Sequence, residues 1–438
     1  MRLMLAFALA CLLCRSVQAQ GWVCAEGGGT GSGAWAAEMY GWMVEKGGGG
    51  HVVLLGAVEL DEQPDPREAA FIRAGAKSAQ SLVITAANAD TQETFDAINA
   101  ASIVFIRGGS QSRYVEWWKG TKTEAAIRAV FARGGVVGGT SAGCAILGEV
   151  TYDALHGSLR PEEVIKDARH PDLTLTRGFL GLVPGVLFDT HFGERARLPR
   201  LAVMLAHCRE DLKVEPLGIG LDARTALCIG PDGIAEVKGE GRAVLLALSP
   251  ATTAAIAKDA PPTIESMPAL TLPAGTKLDL RRRAVLKDAG PKPAPPFAAC
   301  IEPVKLNGGD GDKEGDRRKA KWTTLCEQPR VLAATDAYSS AQRTMQRAEK
   351  ELLHKGSAVV LLAAAGINLR AEGSVIHVLA RDDTPPSALL VIDGLRPGPA
   401  QPDWVIGEKI VPLRLHLLAP GRGFDLISGT PLLQSRGE

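Results

Sequence analysis

Between about residues 50 and 250, the chain alternates short apolar runs with segments of helical periodicity. His51 to Leu55, Ser81 to Ala86, Ser102 to Ile106 and Gly135 to Val137 are strand-like runs. None alternates apolar with polar residues, which is the pattern of strands covered on both faces. Between them Pro66 to Ala74, Asp90 to Ala100 and Thr123 to Arg133 read as helices, the first closed by Gly75 as a C-terminal cap. Strand–helix–strand repetition at this spacing predicts an α/β domain with a mainly parallel sheet, right-handed crossovers and helices on both faces. Functional residues of such sheets gather on loops after the carboxyl ends of strands. Leu217 to Leu221, Ala226 to Ile229 and Ala235 to Lys238 predict antiparallel strands that finish the domain.

The pattern changes at both ends. Arg2, the apolar stretch Leu3 to Leu13 and the small-residue ending Val17-Gln18-Ala19 predict a secretory signal over 1–19, cleaved after Ala19. The chain is therefore expected to be exported, periplasmic or secreted. A lipoprotein site at Cys14 is disfavoured, because Arg15 follows it and Leu13 precedes it. No other run reaches the ~18 apolar residues that cross a bilayer, so no membrane span is expected. Eight of the 27 prolines fall in 261–296. That composition predicts a linker or an extended edge over 259–298 after an α/β domain at 20–258. Beyond it, 299–438 reads as an accessory domain or insertion, with an amphipathic helix from Ser340 to Lys355 and strands at Ser357 to Ala365 and Ser374 to Ala380. Gly308 to Lys321 resembles a calcium loop, but Lys321 stands where a bidentate Glu is required. No internal repeat is visible.

Composition narrows the function. The chain has 438 residues, 46% of them apolar, enough for an ample core. Forty-nine basic residues balance 49 acidic ones, which argues against nucleic-acid binding by counterion release. Aromatic residues are only 5%, so stacking platforms for single strands are not expected either. Of the eight cysteines, Cys11 and Cys14 leave with the signal. Cys300 and Cys326 flank a polar loop and are the best disulfide pair, while Cys24, Cys144, Cys208 and Cys228 lie in apolar runs and read as buried thiols. No paired-ligand spacing suggests a metal.

The strongest chemical signal is Gly139-Thr140-Ser141-Ala142-Gly143, directly after the strand-like Val136-Val137. This is a G-x-S-x-G elbow, in which glycines let neighbouring backbone pass while the serine is lifted above the sheet. The N–H of Ala142, at the start of the next helix, can face a developing oxyanion. A serine nucleophile needs a base. His191, in Asp189-Thr190-His191-Phe192, follows the strand-like Gly185 to Phe188 and fits best. An acid to hold its tautomer would come from Glu149, Asp153, Glu162, Glu163 or Asp167, among which the residues alone do not choose. Arg195, Arg197 and Arg200 form a cationic cluster suited to a substrate carboxylate, with a basic solvated face as the plainer alternative. Arg107-Gly108-Gly109-Ser110-Gln111 offers a second backbone oxyanion donor. Gly27, Gly28 and Gly29 form a weak phosphate-turn signal, with no Walker lysine after them.

These motifs, in order, resemble the cyanophycinase and dipeptidase E family of serine peptidases: Gly108-Gly109-Ser110-Gln111, Gly138 to Gly143, Asp189 to Phe192 with Arg195, Arg197 and Arg200, and Gly218-Ile219-Gly220-Leu221-Asp222 with Thr225-Ala226. The resemblance spans about 25–250. It implies a flavodoxin-like fold of the class I glutamine amidotransferase kind and a serine exopeptidase cutting beside aspartyl residues without metal or cofactor. It implies Ser141 as nucleophile, His191 as base, Gly109 and Ala142 as oxyanion donors, and Gln111, Asp189 and the three arginines lining the pocket. Its acid lies some fifteen to twenty residues after the serine; the stretched spacing here points to Glu162, with Glu163 as rival. Two positions depart from the cyanophycinase pattern, Thr190 in place of Gln and Ala223 in place of Glu, which bears on specificity. The closing segment Pro420 to Leu426 is similar to the end of longer exported members.

The expectation is thus an exported, cyanophycinase-like serine peptidase acting on a peptide rich in aspartyl or β-aspartyl links, with a homodimer left open. The alternative is a non-catalytic exported binding protein on the same scaffold. An esterase of the ordinary α/β-hydrolase type is disfavoured, because only 50 residues separate Ser141 from His191.

Overall fold

The computed structural model describes residues 21–29, 33–60, 64–287, 330–334, 358–362, 367–372, 375–380, 387–393, 413–425 and 430–432. The signal segment, the calcium-like loop, the Ser340 to Lys355 helix and the Cys300–Cys326 pair lie outside these residues.

The first half builds a parallel block. β1 (Trp22–Glu26), β2 (His51–Gly56), β3 (Ser78–Val83), β4 (Ile103–Ile106) and β5 (Val136–Thr140) lie side by side in the order β3-β2-β4-β5-β1. Helices α1 (Ala34–Lys46) and α2 (Pro66–Arg73) cover one face, where Met39, Tyr40, Met43 and Phe71 meet Val52, Leu54, Ile103 and Phe105. Helices α3 (Gln92–Asn99), α4 (Gln111–Trp118) and α5 (Lys122–Ala132) cover the other, packing Ile98, Trp118 and Ile127 on Val53, Leu55, Val104 and Ile106. Successive strand residues thus serve opposite cores, and this is why the runs are apolar throughout; each such side chain contributes about 1.5–3 kcal/mol by leaving water. Asp65 caps α2 by accepting the Arg67 N–H, and Pro66 occupies its first turn. At its other end the Ala76 N–H reaches the Phe71 carbonyl and the Gly75 N–H reaches Ile72, with Gly75 at φ +101°. This is the glycine stop expected there.

After β5 and the one-turn α6 (Ala142–Ala145), the chain moves to a second sheet. It lays down β6 (Gly148–Tyr152), α7 (Pro161–Val164), β7 (Leu175–Arg177), β8 (Val183–Asp189), α8 (Leu198–Glu210) and β9 (Leu217–Leu221). It returns to the first sheet with β10 (Thr225–Ile229) and β11 (Ile234–Gly239), then supplies β12 (Arg242–Leu246), β13 (Thr253–Ala255) and β14 (Thr263–Pro273) to the second. β15 (Lys277–Asp279) and β16 (Ala284–Lys287) finish the first. Of the later strands, β17 (Arg330–Ala334), β18 (Ala358–Leu362), β21 (Leu389–Asp393) and β22 (Leu413–Leu418) extend the second sheet through β14, while β19 (Ile367–Glu372), β20 (Val375–Ala380), β23 (Gly423–Asp425) and β24 (Thr430–Leu432) make a third.

One face of the second sheet, with Val186, Phe188, Leu217, Ile219 and Leu245, shares the core of the parallel block. The other face, with Leu187, Val244 and Leu246, is covered by Leu201, Met204 and Leu205 of α8.

Three expectations need correction. β3 starts three residues earlier than its apolar run, because it is an edge strand with half-buried residues. β9 does not pair with β10: it runs parallel to β8 and antiparallel to β12, in the other sheet. The proline-rich segment is not a free linker over its described part, since β14 pairs with β12, β13 and β22. Its prolines fall at the strand end and beside a bulge between Ile264 and Met267, where a missing N–H is tolerated.

Candidate active site

The site forms where the tips of β1 and β5 meet the tip of β8. The chain leaves β5 through the glycine elbow. A Cβ on Gly139 would stand 2.4 Å from the Gly143 carbonyl oxygen, and one on Gly143 only 2.2 Å from that of Ile106. Both positions therefore demand glycine. Ser141, between them, is held at φ 52° and ψ −114°, a strained backbone of the kind stored at functional turns. Its N–H donates to the Glu26 carbonyl at 3.0 Å, so β1 fixes the serine from the side.

His191 follows β8 and also has positive φ, 44°. Its N–H donates to the Gly27 carbonyl at 2.7 Å. Its Nε2 lies 2.9 Å from Ser141 Oγ. The structure thus brings together the two residues that the sequence singled out. The imidazole packs against Gly28: a Cβ there would come within 2.3 Å of Cε1 and 2.4 Å of Nε2. The glycine cluster read as a weak phosphate turn is instead the wall behind the histidine. Burial first, and then Arg195 and Arg197, press the imidazole from 6.5 down to about 4, against an upward pull from Asp189.

The Arg107–Gln111 segment closes another side. Gly108 sits beside the serine, its would-be Cβ 3.4 Å from Ser141 Cβ. Gly109 has φ +143°. The buried Tyr114 hydroxyl donates to the Arg107 carbonyl at 2.9 Å and lies 3.2 Å from that of Gly108, pinning this turn. Ala142 opens α6, where first-turn N–H groups have no intrahelical acceptor. Gln111 opens α4, half-buried.

The acid is where structure and expectation part. Glu162 is exposed on α7. Glu163 accepts the Arg160 N–H at 2.8 Å and pairs with its guanidinium at 2.7 Å, a local cap that lowers the Glu163 carboxyl. Neither is hydrogen-bonded to His191. Of the other candidates, Glu149 holds Arg177 and the Gly185 N–H, Asp153 holds the hydroxyls of Thr174 and Thr176, and Asp167 holds the N–H groups of Arg169 and Asp259. Among the described residues, no carboxylate is hydrogen-bonded to the His191 ring.

The arginines also divide. Arg200 and Asp189 are both buried, and two guanidinium nitrogens grip the carboxylate. Arg200 also donates to the Leu159 carbonyl at 2.9 Å and lies over the Tyr152 ring. Arg197, likewise buried, donates to the Thr190 carbonyl at 2.6 Å. These side chains do not line an open pocket as the resemblance implied. A buried carboxylate needs a buried cation, and Asp189 takes both. Arg195 alone of the three is exposed.

Two residues to which the sequence assigned no role also shape the site. Buried Asp222 accepts the Gly193 N–H at 2.8 Å and the Arg242 N–H at 3.1 Å, tying the loop after His191 to β12. Burial and then Glu194 push its carboxyl up to about 6. Glu194 accepts the Ala223 N–H at 3.0 Å, which places a carboxylate beside the position where the cyanophycinase pattern has Glu. Asp222 stands inside a quoted motif and Glu194 beside one, but nothing local in the sequence marks what either carboxylate holds. Among the described residues, no three His, Cys, Asp or Glu gather in a way that could hold a metal, and no helix is long and apolar enough to cross a membrane.

Residues 68–237, which include both Ser141 and His191, match the profile of peptidase family S51. The cyanophycinase of Synechococcus elongatus is 31% identical over 167 residues, 38% of this chain and 48% of that protein. The cyanophycinase of Trichormus variabilis is 30% identical over 196 residues, 43% of this chain and 61% of that protein. The chain thus spans about half to three-fifths of the length of the curated relatives it matches. The crystal structure of a peptidase from an acI-B1 Actinobacterium aligns with TM-score 0.42 and 18% identity, over 60% of this chain and 98% of that one. The family profile spans the serine–histidine pair and cyanophycinases match across the same region, so this part of the chain is similar to peptidase family S51 and to the cyanophycinases.

Proposed function

We propose that this chain is an exported serine exopeptidase that hydrolyses peptide bonds beside aspartyl or β-aspartyl residues. The observation that carries the reading is the 2.9 Å approach of His191 Nε2 to Ser141 Oγ on an elbow with strained backbone. In this reading, Nε2 accepts the hydroxyl proton as Oγ attacks the scissile carbonyl carbon. The N–H groups of Gly109 and Ala142 hold the oxyanion. The imidazolium then returns its proton to the leaving amine, and water hydrolyses the ester by the same steps in reverse order. Among the described residues, the imidazole's orientation comes from the Gly28 wall and the His191 N–H bond to Gly27. Exposed Arg195 supplies the positive charge for a substrate carboxylate. The aspartyl preference and the export rest on the cyanophycinase relatives and on the N-terminal pattern.

Ser141→Ala is expected to abolish hydrolysis of cyanophycin and β-aspartyl dipeptides while leaving the fold intact. Equal turnover by the wild type and this variant would overturn the proposal. A second reading is a non-catalytic exported binding protein on the same scaffold; it is favoured by the burial of Arg197 and Arg200 against Asp189, which makes the cluster structural rather than catalytic. Labelling of Ser141 by a fluorophosphonate separates the two, because only a working base activates the hydroxyl.

A further inference from the structure

Cys24 and Cys228 face each other across the antiparallel β1–β10 pair. They are 0% and 3% exposed, and both are present as thiols. The ladder fixes how near they stand. The Gly27 N–H donates to the Thr225 carbonyl at 2.8 Å, and these two residues lie opposite each other one step beyond the Glu26–Ala226 pair. Hydrogen-bonded and non-hydrogen-bonded pairs alternate along an antiparallel ladder. Counting back from Gly27, the Cys24–Cys228 pair falls on a non-hydrogen-bonded position. Facing Cα atoms there are about 4.5 Å apart, inside the window of about 4.4–6.8 Å that a disulfide requires. The Cys24 thiol is held well above its ordinary range, first by its hydrogen bond to Cys228 and then by burial.

We propose that Cys24 and Cys228 are a cross-strand disulfide site, closed when the chain folds in the presence of a small-molecule disulfide such as oxidised glutathione. The two protein thiols lose two protons and two electrons. The S–S bond of the oxidant breaks, one S–S bond forms between the strands, and the oxidant departs as two thiols. Closure belongs to folding, because the finished pair is shielded from solvent. The bond would lock the strand that serves the catalytic pair: just beyond Cys24, the Glu26 carbonyl holds the Ser141 N–H, the Gly27 carbonyl holds the His191 N–H, and Gly28 backs the imidazole.

The test refolds the full chain with either oxidised or reduced glutathione, alkylates free thiols and maps the digest by mass spectrometry. A peptide linked through Cys24 and Cys228 is expected from the oxidised sample alone. Reduction should lower the Tm of that sample by roughly 5–10 °C, a shift that Cys228→Ser, or Cys24→Ala if the serine variant fails to fold, does not show. Full alkylation of both cysteines after oxidised refolding, or a link from Cys24 to any other cysteine, would overturn the proposal. The mapping needs no enzymatic activity, so its outcome is independent of the peptidase reading.

Discussion

Gly28→Ala tests the geometry of the site more sharply than removing the side chain of Ser141 or His191. The added Cβ would lie 2.3 Å from His191 Cε1 and 2.4 Å from Nε2, where ordinary contact begins at 3.4 Å. The ring must therefore retreat by about 1 Å, the difference between these distances. Ser141 is not free to follow, because its N–H is bonded to the Glu26 carbonyl, two residues before the new methyl group. The 2.9 Å Nε2–Oγ approach is then lost. A misplacement of this size costs about 10²-fold in turnover, or roughly 2.7 kcal/mol of barrier. Backbone strain adds to the damage, since φ is +111°; the fold should lose about 1–3 kcal/mol. Steady-state kcat/KM, fluorophosphonate labelling rate and chemical denaturation measure the three effects together. Gly41→Ala is the matched control: its Cβ meets nothing within 4 Å inside α1, so it should leave activity alone and add about 0.5–1 kcal/mol of stability. A folded Gly28→Ala protein with wild-type turnover would refute the role given to this wall.

The remaining predictions follow from the same contacts. With His191 lowered to about 4, its neutral form persists well into acid, so the acid limb of kcat/KM should fall near pH 4; a limb at pH 6 or above would assign the base to another group. The same shift has a stability sign. Between pH 6.5 and about 4 the unfolded histidine binds a proton that the folded one refuses, so this contribution is complete above pH 6.5 and is lost on acidification toward 4. Denaturation curves at a series of pH values for wild type and His191→Gln, which removes the term, measure it. Arg200→Ala should destabilise the protein by about 3–5 kcal/mol by leaving Asp189 uncompensated in the interior; a change below 1 kcal/mol in urea denaturation would contradict the ion-pair role, whatever the effect on activity.

The parallel block was legible because its strands are buried on both sides, which imprints unbroken apolar runs such as His51 to Leu55. The edge strand β3 lacks that constraint and was misplaced. The second sheet was not legible because its pairings join distant segments: β14 meets β12 on one side and β22 on the other, and no local pattern encodes the partner. Ser141 and His191 could be found because a glycine elbow and a strand end are local features. The fates of the charged residues could not. Arg195, Arg197 and Arg200 lie within six positions, yet the first is exposed and the other two are buried against Asp189 and Thr190. Glu163 looks like a candidate orienter until its capping of α7 is seen. Charge alone does not say whether a side chain serves a reaction, a helix end or a buried counterion.

The serine hangs from β5 of the first sheet and the histidine from β8 of the second, so the distance between them gauges how the two layers are docked. A slip of one layer over the other by the width of an atom would part the serine from the histidine while every strand kept its own hydrogen bonds. Heating should therefore extinguish turnover before circular dichroism registers any melting, with rigidity of the interlayer core around Phe188 and Ile219 setting the working temperature.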